Sequence, residues 1–394
     1  MLDFLHGAEV IEITDGVRPI RTVRTGVIGV IGTAPDADAA TFPLDTPVLV
    51  AGSRAKAALL DTVGDGRGTL PSALDGIFDQ VGAAVIVVRV DEGTDETATL
   101  ANVIGGTNAG TGQALGLHAF AAAKSITGFT PKIICAPGFT HQRPSGAANP
   151  VVAEALGILD RLRAIMVIDG PNTNDADAIA ARGDWGSKRL YMIDPAVKVG
   201  ADGARVEWAS ARVAGVIARI RAERGYWWSP SNQVVNGIVG TARSVDFTMG
   251  DKNSRANLLN EQEVTTIIRE EGFRVWGNRG LSSDPNYAFI SHVAIDDTVA
   301  QSILDAHLWA VDRNISSSTY FEEVSEGVNA FIRRQAVLGA LFGGECFPDP
   351  DLNSAASIAD GHAWWNVAIS RSSPAERLTF RLHVTNEFIE EVLP

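Results

Sequence analysis

Cysteine is nearly absent: Cys135 and Cys346 are the only two in 394 residues. They stand far apart, with no second Cys or His at ligand spacing, which supports neither a disulfide framework nor a zinc site. Cys135, inside the apolar run KIICAPG, reads as a small core residue. Basic residues are also in short supply, since 33 Lys and Arg face 47 Asp and Glu for a formal charge of -14. Such a surface repels phosphate backbones, so nucleic acid is not an expected partner. No apolar run approaches the roughly 20 residues that span a bilayer, and no direct membrane insertion is expected. The start, MLDFLHGAEV, lacks the basic n-region of a signal peptide, which predicts synthesis and folding in the cytoplasm.

The signatures of common chemistry are missing too. There is no G-K-S or G-K-T. Gly106, Gly110 and Gly112 in GGTNAGTGQALGLHAF suggest a glycine-rich phosphate loop, which would present backbone N–H groups to an anion. Yet the preceding LANVIGG is a mediocre strand candidate, and no acidic residue closes KIICAP where a ribose-binding carboxylate belongs. The stretch reads as an ordinary loop, and no cofactor is expected. There is no G-x-S-x-G elbow, and GTARS carries Ala242 where a serine is needed. Asp169 ends AIMVID, where α/β sheets often place functional groups. With Gly170 and Pro171 behind it, it reads as a turn former. His141 precedes the loop QRPSG, and His292 lies in the strand candidate AFISHVAI. Neither sits in a string diagnostic of a triad. No catalytic or metal-binding residue is nominated, and an α/β hydrolase or nucleotide-binding enzyme is kept as the alternative.

What is present is regular. Hydrophobic residues make up 45% and charged residues 20%, a globular balance that excludes wholesale disorder. Strand candidates PVLVAG, AAVIVVRVDEG, KIICAPG, AIMVIDG and RLYMIDP alternate with helical stretches over TLPSALDGIFDQVG and near 148–163, 174–182 and 205–224. Continuous apolar strands alternating with helices predict a parallel sheet covered on both faces. After about residue 250 the order changes. A helix near 257–271, a strand near 286–295, helices near 297–313 and 320–341, and strands near 362–370 and 377–386 predict a smaller α+β domain. The expected division is an arm over 1–22, an α/β core over 23–272 with a small surface insertion near 91–117, an α+β domain over 273–376 and a terminal strand over 377–394.

Arg205, Arg212 and Arg219 recur every seven residues on the expected helix near 205–224. They read as a solvated face, or else as a surface for an acidic partner. Trp227-Trp228 and Trp364-Trp365 read as core anchors, or else as residues buried at a subunit contact.

Both ends look like strands. Leu378, Phe380, Leu382 and Val384 alternate with polar residues, and AEVIEITDGVRP is a second extended candidate. Exposed strands invite pairing with other chains, which proteins normally prevent. Three stretches explain them. DGVRPIRTVRTGVIGVIGTAPDAD, LANVIGG leading to TPKIICAPGFT, and NLLNEQEVTTIIREEGFRVWGNRGLSSDPNYAFISH resemble the contractile tail sheath proteins. The likeness is nearest to the short sheaths of temperate myophages and R-type pyocins, and it runs over nearly the whole chain.

That resemblance implies a core of the fold called subtilisin-like, without catalysis, plus a sheath C-terminal domain. It implies arms exchanged between subunits, each adding a strand to a neighbour's sheet. Here the contacts would be Val10, Ile11 and Ile13 at one end and Leu378, Phe380, Leu382 and Val384 at the other. Glu387, Glu390 and Glu391 would meet Arg18, Arg21 or Arg24 of another subunit. The implied partners are further copies of the chain, an inner tail tube protein, and baseplate and tail terminator proteins. The helix near 320–341 would face the tube through Glu322, Glu323, Glu326, Arg333 and Arg334. Assembly would take place in a bacterial host cytoplasm.

Overall fold

The structure, a computed structural model, describes residues 19–315 and 318–385. Val10, Ile11, Ile13 and Arg18, and Glu387, Glu390 and Glu391, lie outside the described residues.

The chain enters its main sheet through β1 (Ile28–Thr33) and crosses to β2 (Val48–Ala51). It returns by helices α1 (Arg54–Ala57) and α2 (Leu70–Phe78) to β3 (Ala84–Val90). Helix α3 (Glu96–Ile104) and a hairpin of β4 (Gly106–Thr107) and β5 (Ala114–Leu115) follow, then α4 (Ala123–Thr127) and β6 (Ile133–Cys135). Next come α5 (Pro150–Leu162), β7 (Ile165–Asp169), α6 (Asp175–Gly183) and β8 (Leu190–Ile193). The sheet order is β2-β3-β1-β6-β7-β8, parallel except where β2 runs against β3.

These strands are apolar nearly throughout, apart from Thr33, Arg89 and Asp169 toward their ends, because both faces are covered. Ile28, Val30, Val85, Val87, Ile133 and Val167 point into one core with Leu74 and Ile77 of α2. Their alternates Ile31, Ile86, Val88, Ile134, Met166 and Ile168 point into a second with Phe120 and with Val152 and Leu159 of α5. Local signals set the helix starts. Asn149 caps α5 by accepting from Val151 N and Val152 N, with Pro150 at the first position, and Asn174 caps α6 through Asp177 N.

Short strands β9 (Val197–Val199) and β10 (Arg205–Glu207) precede the long helix α7 (Ser210–Glu223), which packs on the first core. β11 (Gly240–Thr241) pairs back onto β9, and α8 (Arg255–Glu261) leads to the hairpin of β12 (Thr266–Arg269) and β13 (Phe273–Trp276). The C-terminal part comprises α9 (Ile290–Ala306), α10 (Ser318–Leu338), β14 (Leu341–Pro348), α11 (Ala355–Ala359) and β15 (Trp365–Arg371). It has a third core of its own, containing Ile295, Val299, Val328, Phe331, Ile332, Leu341 and Cys346.

Several expectations need correction. LANVIGG is mostly helix: it falls in α3, whose start is fixed by Asp95 accepting from Ala98 N. AFISHVAI opens α9, so His292 is helical; its buried Ile290, Val293, Ala294 and Val299 follow a helical spacing that a short β-branched run disguises. The helix expected near 257–271 stops at Glu261, and Gly272, with φ +105°, makes the tight turn between β12 and β13. β14, unforeseen because LFGGECFP carries two glycines and a proline, pairs with β15. No strand is formed over 377–385.

The arginine stripe also fails as a solvated face. Arg205 belongs to β10 rather than α7, and Arg219 donates to Val234 O at 2.5 Å. Arg212 is 3% exposed, bonded to Asp79 at 2.8 Å and Glu207 at 3.0 Å.

Candidate polymerisation interface

The surface most unlike an ordinary globular exterior surrounds β14 and β15. The two strands form an antiparallel sheet of their own, in register from Leu341↔Arg371 to Pro348↔Trp365, so among the described residues each has one outer edge without a strand. Gly344 permits the close approach, because a Cβ there would meet the Ala368 carbonyl. One face rests on α10 through Leu341, Cys346, Trp365 and Ile369, with Trp365 against Phe321 at 5.2 Å between ring centroids. The opposite face carries Glu345, Phe347, Asn366, Ala368 and Ser370, all exposed. Val367 belongs to the covered face yet is 40% exposed, opening it sideways along β15. Burial pushes the Cys346 thiol up to about 11, so it stays a neutral core group.

The edge of β14 is closed at one residue. Asn329 of α10 donates to Cys346 O at 2.9 Å and accepts from Cys346 N at 2.7 Å, using both backbone groups of that residue. Elsewhere the edges present the donors and acceptors that an added strand would take up.

The chain beyond β15 supplies a segment suited to that role. Ser372 N and Oγ donate to Ala340 O, and Arg279 holds Glu376 through two bonds of 2.7 and 2.8 Å. After this anchor the chain runs without sheet pairing to residue 385, with Leu378 71%, Phe380 89%, Leu382 91% and Val384 91% exposed. Four large apolar side chains in strict alternation, all in water, cost free energy unless something covers them.

At the other end, part of the expected arm is seated. Ile20 is buried in the third core, its carbonyl accepts from Arg334, and Val23 N donates to Ser302 Oγ. Arg24 lies over the Phe129 ring at 4.8 Å, and Thr25 O accepts from Arg221. Residues 19–27 thus form a strap joining the C-terminal part to β1.

The charged helix α10 buries Tyr320, Val324, Val328, Phe331 and Ile332 and exposes Glu322, Glu323, Glu326, Arg333 and Arg334. Its acidic and basic groups lie toward opposite ends. Glu323 pairs with Arg313 at 2.7 Å and Glu326 with Arg333 at 3.5 Å, while Arg334 is committed to Ile20. Of the tryptophans, Trp227 and Trp365 pack on the third core, whereas Trp228 and Trp364 are 44% and 47% exposed.

Asp169, the centre of the enzyme alternative, is 3% exposed at the end of β7. Its two oxygens accept from Ser210 N at 2.8 Å and Ser210 Oγ at 2.6 Å, capping α7. Burial raises its carboxyl to about 7, against the pull of those bonds. Ser210 is fully enclosed. His141 stacks on Trp208 at 3.8 Å, and burial lowers its imidazole to about 4. Gly106, Gly110 and Gly112 belong to the β4–β5 hairpin region, where Asn108 takes the N–H groups of Gly110 and Thr111. Among the described residues no cluster of His, Cys, Asp and Glu has the make-up of a metal site, and no helix is long and apolar enough to cross a membrane.

Comparison with known proteins defines the class. The phage tail sheath protein central domain matches residues 112–281, and the phage tail sheath C-terminal domain matches residues 282–385. The tail sheath protein Gp18 domain III N-terminal region matches residues 25–90. The chain belongs to the phage tail sheath family. It is 40% identical to a prophage major tail sheath protein of Pseudomonas aeruginosa (strain UCBPP-PA14), covering 100% of this chain and 99% of that protein. It is 34% identical to the tail sheath protein of Escherichia phage P2, covering 100% of this chain and 98% of that one. In fold it matches the helical sheath of the anti-feeding prophage in its contracted state, with a TM-score of 0.71 and 20% identity over 96% of this chain and 98% of that one. The contracted sheath of the PVC extracellular contractile injection system gives 0.68 and 16% over 98% and 99%.

Proposed function

We propose that this chain is the repeating subunit of a contractile tail sheath. It polymerises as a helical tube around an inner tail tube and passes from a metastable extended state to a contracted one, driving the tube through a target envelope. The observation that carries this reading is the presence, in one member of the sheath family, of an exposed segment of alternating apolar residues at 378–384 and, among the described residues, a two-stranded sheet whose outer edges carry no strand. Donor and acceptor lie on the same molecule, so the contact repeats head to tail and builds an open array. Main-chain hydrogen bonds supply affinity, and the alternation of Leu378, Phe380, Leu382 and Val384 supplies register. Val10, Ile11 and Ile13 act in the same way from the other end.

Contraction requires no nucleotide in this scheme. Energy is stored at assembly, and subunits move as rigid bodies while the terminal segments flex. The core carries the subtilisin-like sheath fold with borders near residues 22, 272 and 376, and no reaction is assigned to it: Ser210 and Asp169 are enclosed and bonded to each other. The tube lies against Glu322, Glu323, Glu326 and Arg333 of α10, with Arg334 holding the strap behind them. Such exposed charged contacts are individually weak, which suits a contact that must hold and then let go. Baseplate and terminator proteins close the ends, and assembly precedes release from a bacterial cytoplasm.

The test is electron microscopy of the full-length protein, alone and with its tube protein, beside a chain ending at residue 376. Striated cylinders from the full chain and only dispersed, folded subunits from the shortened one are expected. Dispersed full-length subunits in the presence of tube protein would overturn the reading, as would a measurable turnover abolished by Asp169→Ala. Tube binding unchanged by Arg333→Glu together with Glu326→Arg would remove α10 from the tube contact.

A further inference from the structure

Where the strap, the main sheet and α9 meet, positive charge exceeds negative around a small cavity lined by the buried Lys132 and the partly buried Arg163 and Arg221. A cavity of about 10 Å³ is lined by Val23, Thr25, Lys132, Arg163, Ile165, Arg221, Ala294, Asp297 and Thr298. Three cationic side chains and one carboxylate line it, with a second carboxylate, Asp305, acting on Lys132 from outside the lining. The lining carboxylate is already engaged, since Asp297 holds Arg189, which is 6% exposed in its side chain and also bound to Asp160 at 2.9 Å.

The cations have donors to spare. Lys132, 8% exposed, gives one bond from Nζ, to Leu162 O at 2.7 Å, out of three available. Arg221 gives one, to Thr25 O at 2.8 Å, out of five. The lining therefore offers N–H donors around a space that suits one particle about the size of a water molecule. Water would satisfy some of the bonds and none of the charge.

We propose that this cavity is a binding site for a small monovalent anion of the halide type, held by Lys132, Arg163 and Arg221. Polyatomic organic anions are excluded by the volume. An anion there answers a cost visible in the lining groups. Burial lowers Lys132 to about 8 and Arg221 to about 10, Asp297 offsetting part of each shift. The bound ion would tie together three segments that are remote in sequence: the strap at Thr25, the entries to β6 and β7 at Lys132 and Ile165, and α9 at Asp297. The joint between the core and the C-terminal part would then be firmer in halide than in a larger anion. This inference does not rest on the sheath reading, and it can fail without touching it.

The test uses the full-length chain at fixed ionic strength, with sodium chloride replaced stepwise by sodium gluconate. Chlorine-35 NMR line broadening reports binding, and thermal melting reports its effect. Wild type should show saturable broadening and, at ten times the dissociation constant, a rise in melting temperature of about 2 °C. Arg221→Met and Lys132→Met should each lose the saturable part of the broadening and at least half of the shift. Arg205→Met, on the exposed β10, should lose neither. Because either cavity variant could fold poorly, anomalous scattering from bromide-soaked wild-type crystals provides an independent reading at the cavity. Broadening equal in wild type and in a folded Arg221→Met, or no bromide peak between Lys132 and Arg221, would overturn the proposal and leave a water in its place.

Discussion

Two of the molecule's sheets are built on opposite terms. The six-stranded sheet is buried on both faces, and its strands β3 and β7 read AVIVVRV and IMVID with hardly a polar interruption. The sheet of β14 and β15 is covered on one face, has outer edges without a strand among the described residues, and is followed by a segment of alternating apolar residues that forms no sheet pairing among them. The first sheet is packed on both faces inside one chain; the second, among the described residues, leaves one face bare and its outer edges without a strand. A sheet that is packed on both faces suits a rigid body, and one with a bare face and unpaired edges suits the joint proposed above.

The sharpest way to break this contrast is to place the same charge in each region. Val87→Asp, at a fully buried position, should cost about 4 kcal/mol or more and remove soluble folded protein, as judged by circular dichroism. Phe380→Asp, at an 89% exposed position, should leave the melting curve in place and abolish cylinders in the electron microscope. Equal destabilisation by both would erase the distinction.

Next in size is Arg212→Met. It leaves Glu207, whose side chain is 8% exposed, with only the exposed Arg205 as a partner. A loss of about 3–5 kcal/mol in denaturant unfolding is expected, as for half of a buried ion pair. The core should also respond to pH through Asp169. Its folded carboxyl titrates near 7, above the unfolded value near 3.8, because burial favours the neutral form. Between those limits the folded state holds a proton that the unfolded state has released. Stability from this group therefore falls as pH rises from about 4 to about 7, by up to about 1.4 kcal/mol per unit, and is level outside that window. The difference in unfolding free energy between wild type and Asp169→Asn across that range isolates the effect, and a flat difference would contradict it.

The smallest effect belongs to the joint. Arg279→Ala releases Glu376 at a half-exposed pair and should cost about 0–1 kcal/mol of subunit stability. Its weight should fall instead on the regularity of the cylinders, measured as scatter in their helical repeat.

The two sheets also differed in how far they could be read in advance. β3, β6, β7 and β8 were evident because a strand buried on both faces writes an unbroken apolar run, and Asn149-Pro150 marked the start of α5 directly. In the C-terminal part each residue answers to a different neighbour. β14 hides behind Gly343, Gly344 and Pro348, which a one-layer edge sheet tolerates and a central strand does not. The start of α9 carries Ile290, Val293, Ala294 and Ile295 in a run too short for periodicity to tell from a strand. The alternation at 378–384 was plain, but its meaning depends on other subunits. Arg212 looked solvated because one of its partners, Asp79, lies far away in sequence, and the other, Glu207, precedes α7 on the short strand β10, which the expected helix had absorbed.

The anchor at Glu376 has a mechanical consequence. Only Arg377 separates it from Leu378, and a residue spans at most about 3.6 Å. In the proposed exchange the first donated side chain would stand on a tether of about 7 Å, too short to absorb a sliding movement between subunits. With the Arg279–Glu376 clasp closed, neighbours joined in that way would be free to swivel and not to drift apart. The change from a long, narrow tube to a short, wide one then becomes a problem in angles, with the clasp as its pivot.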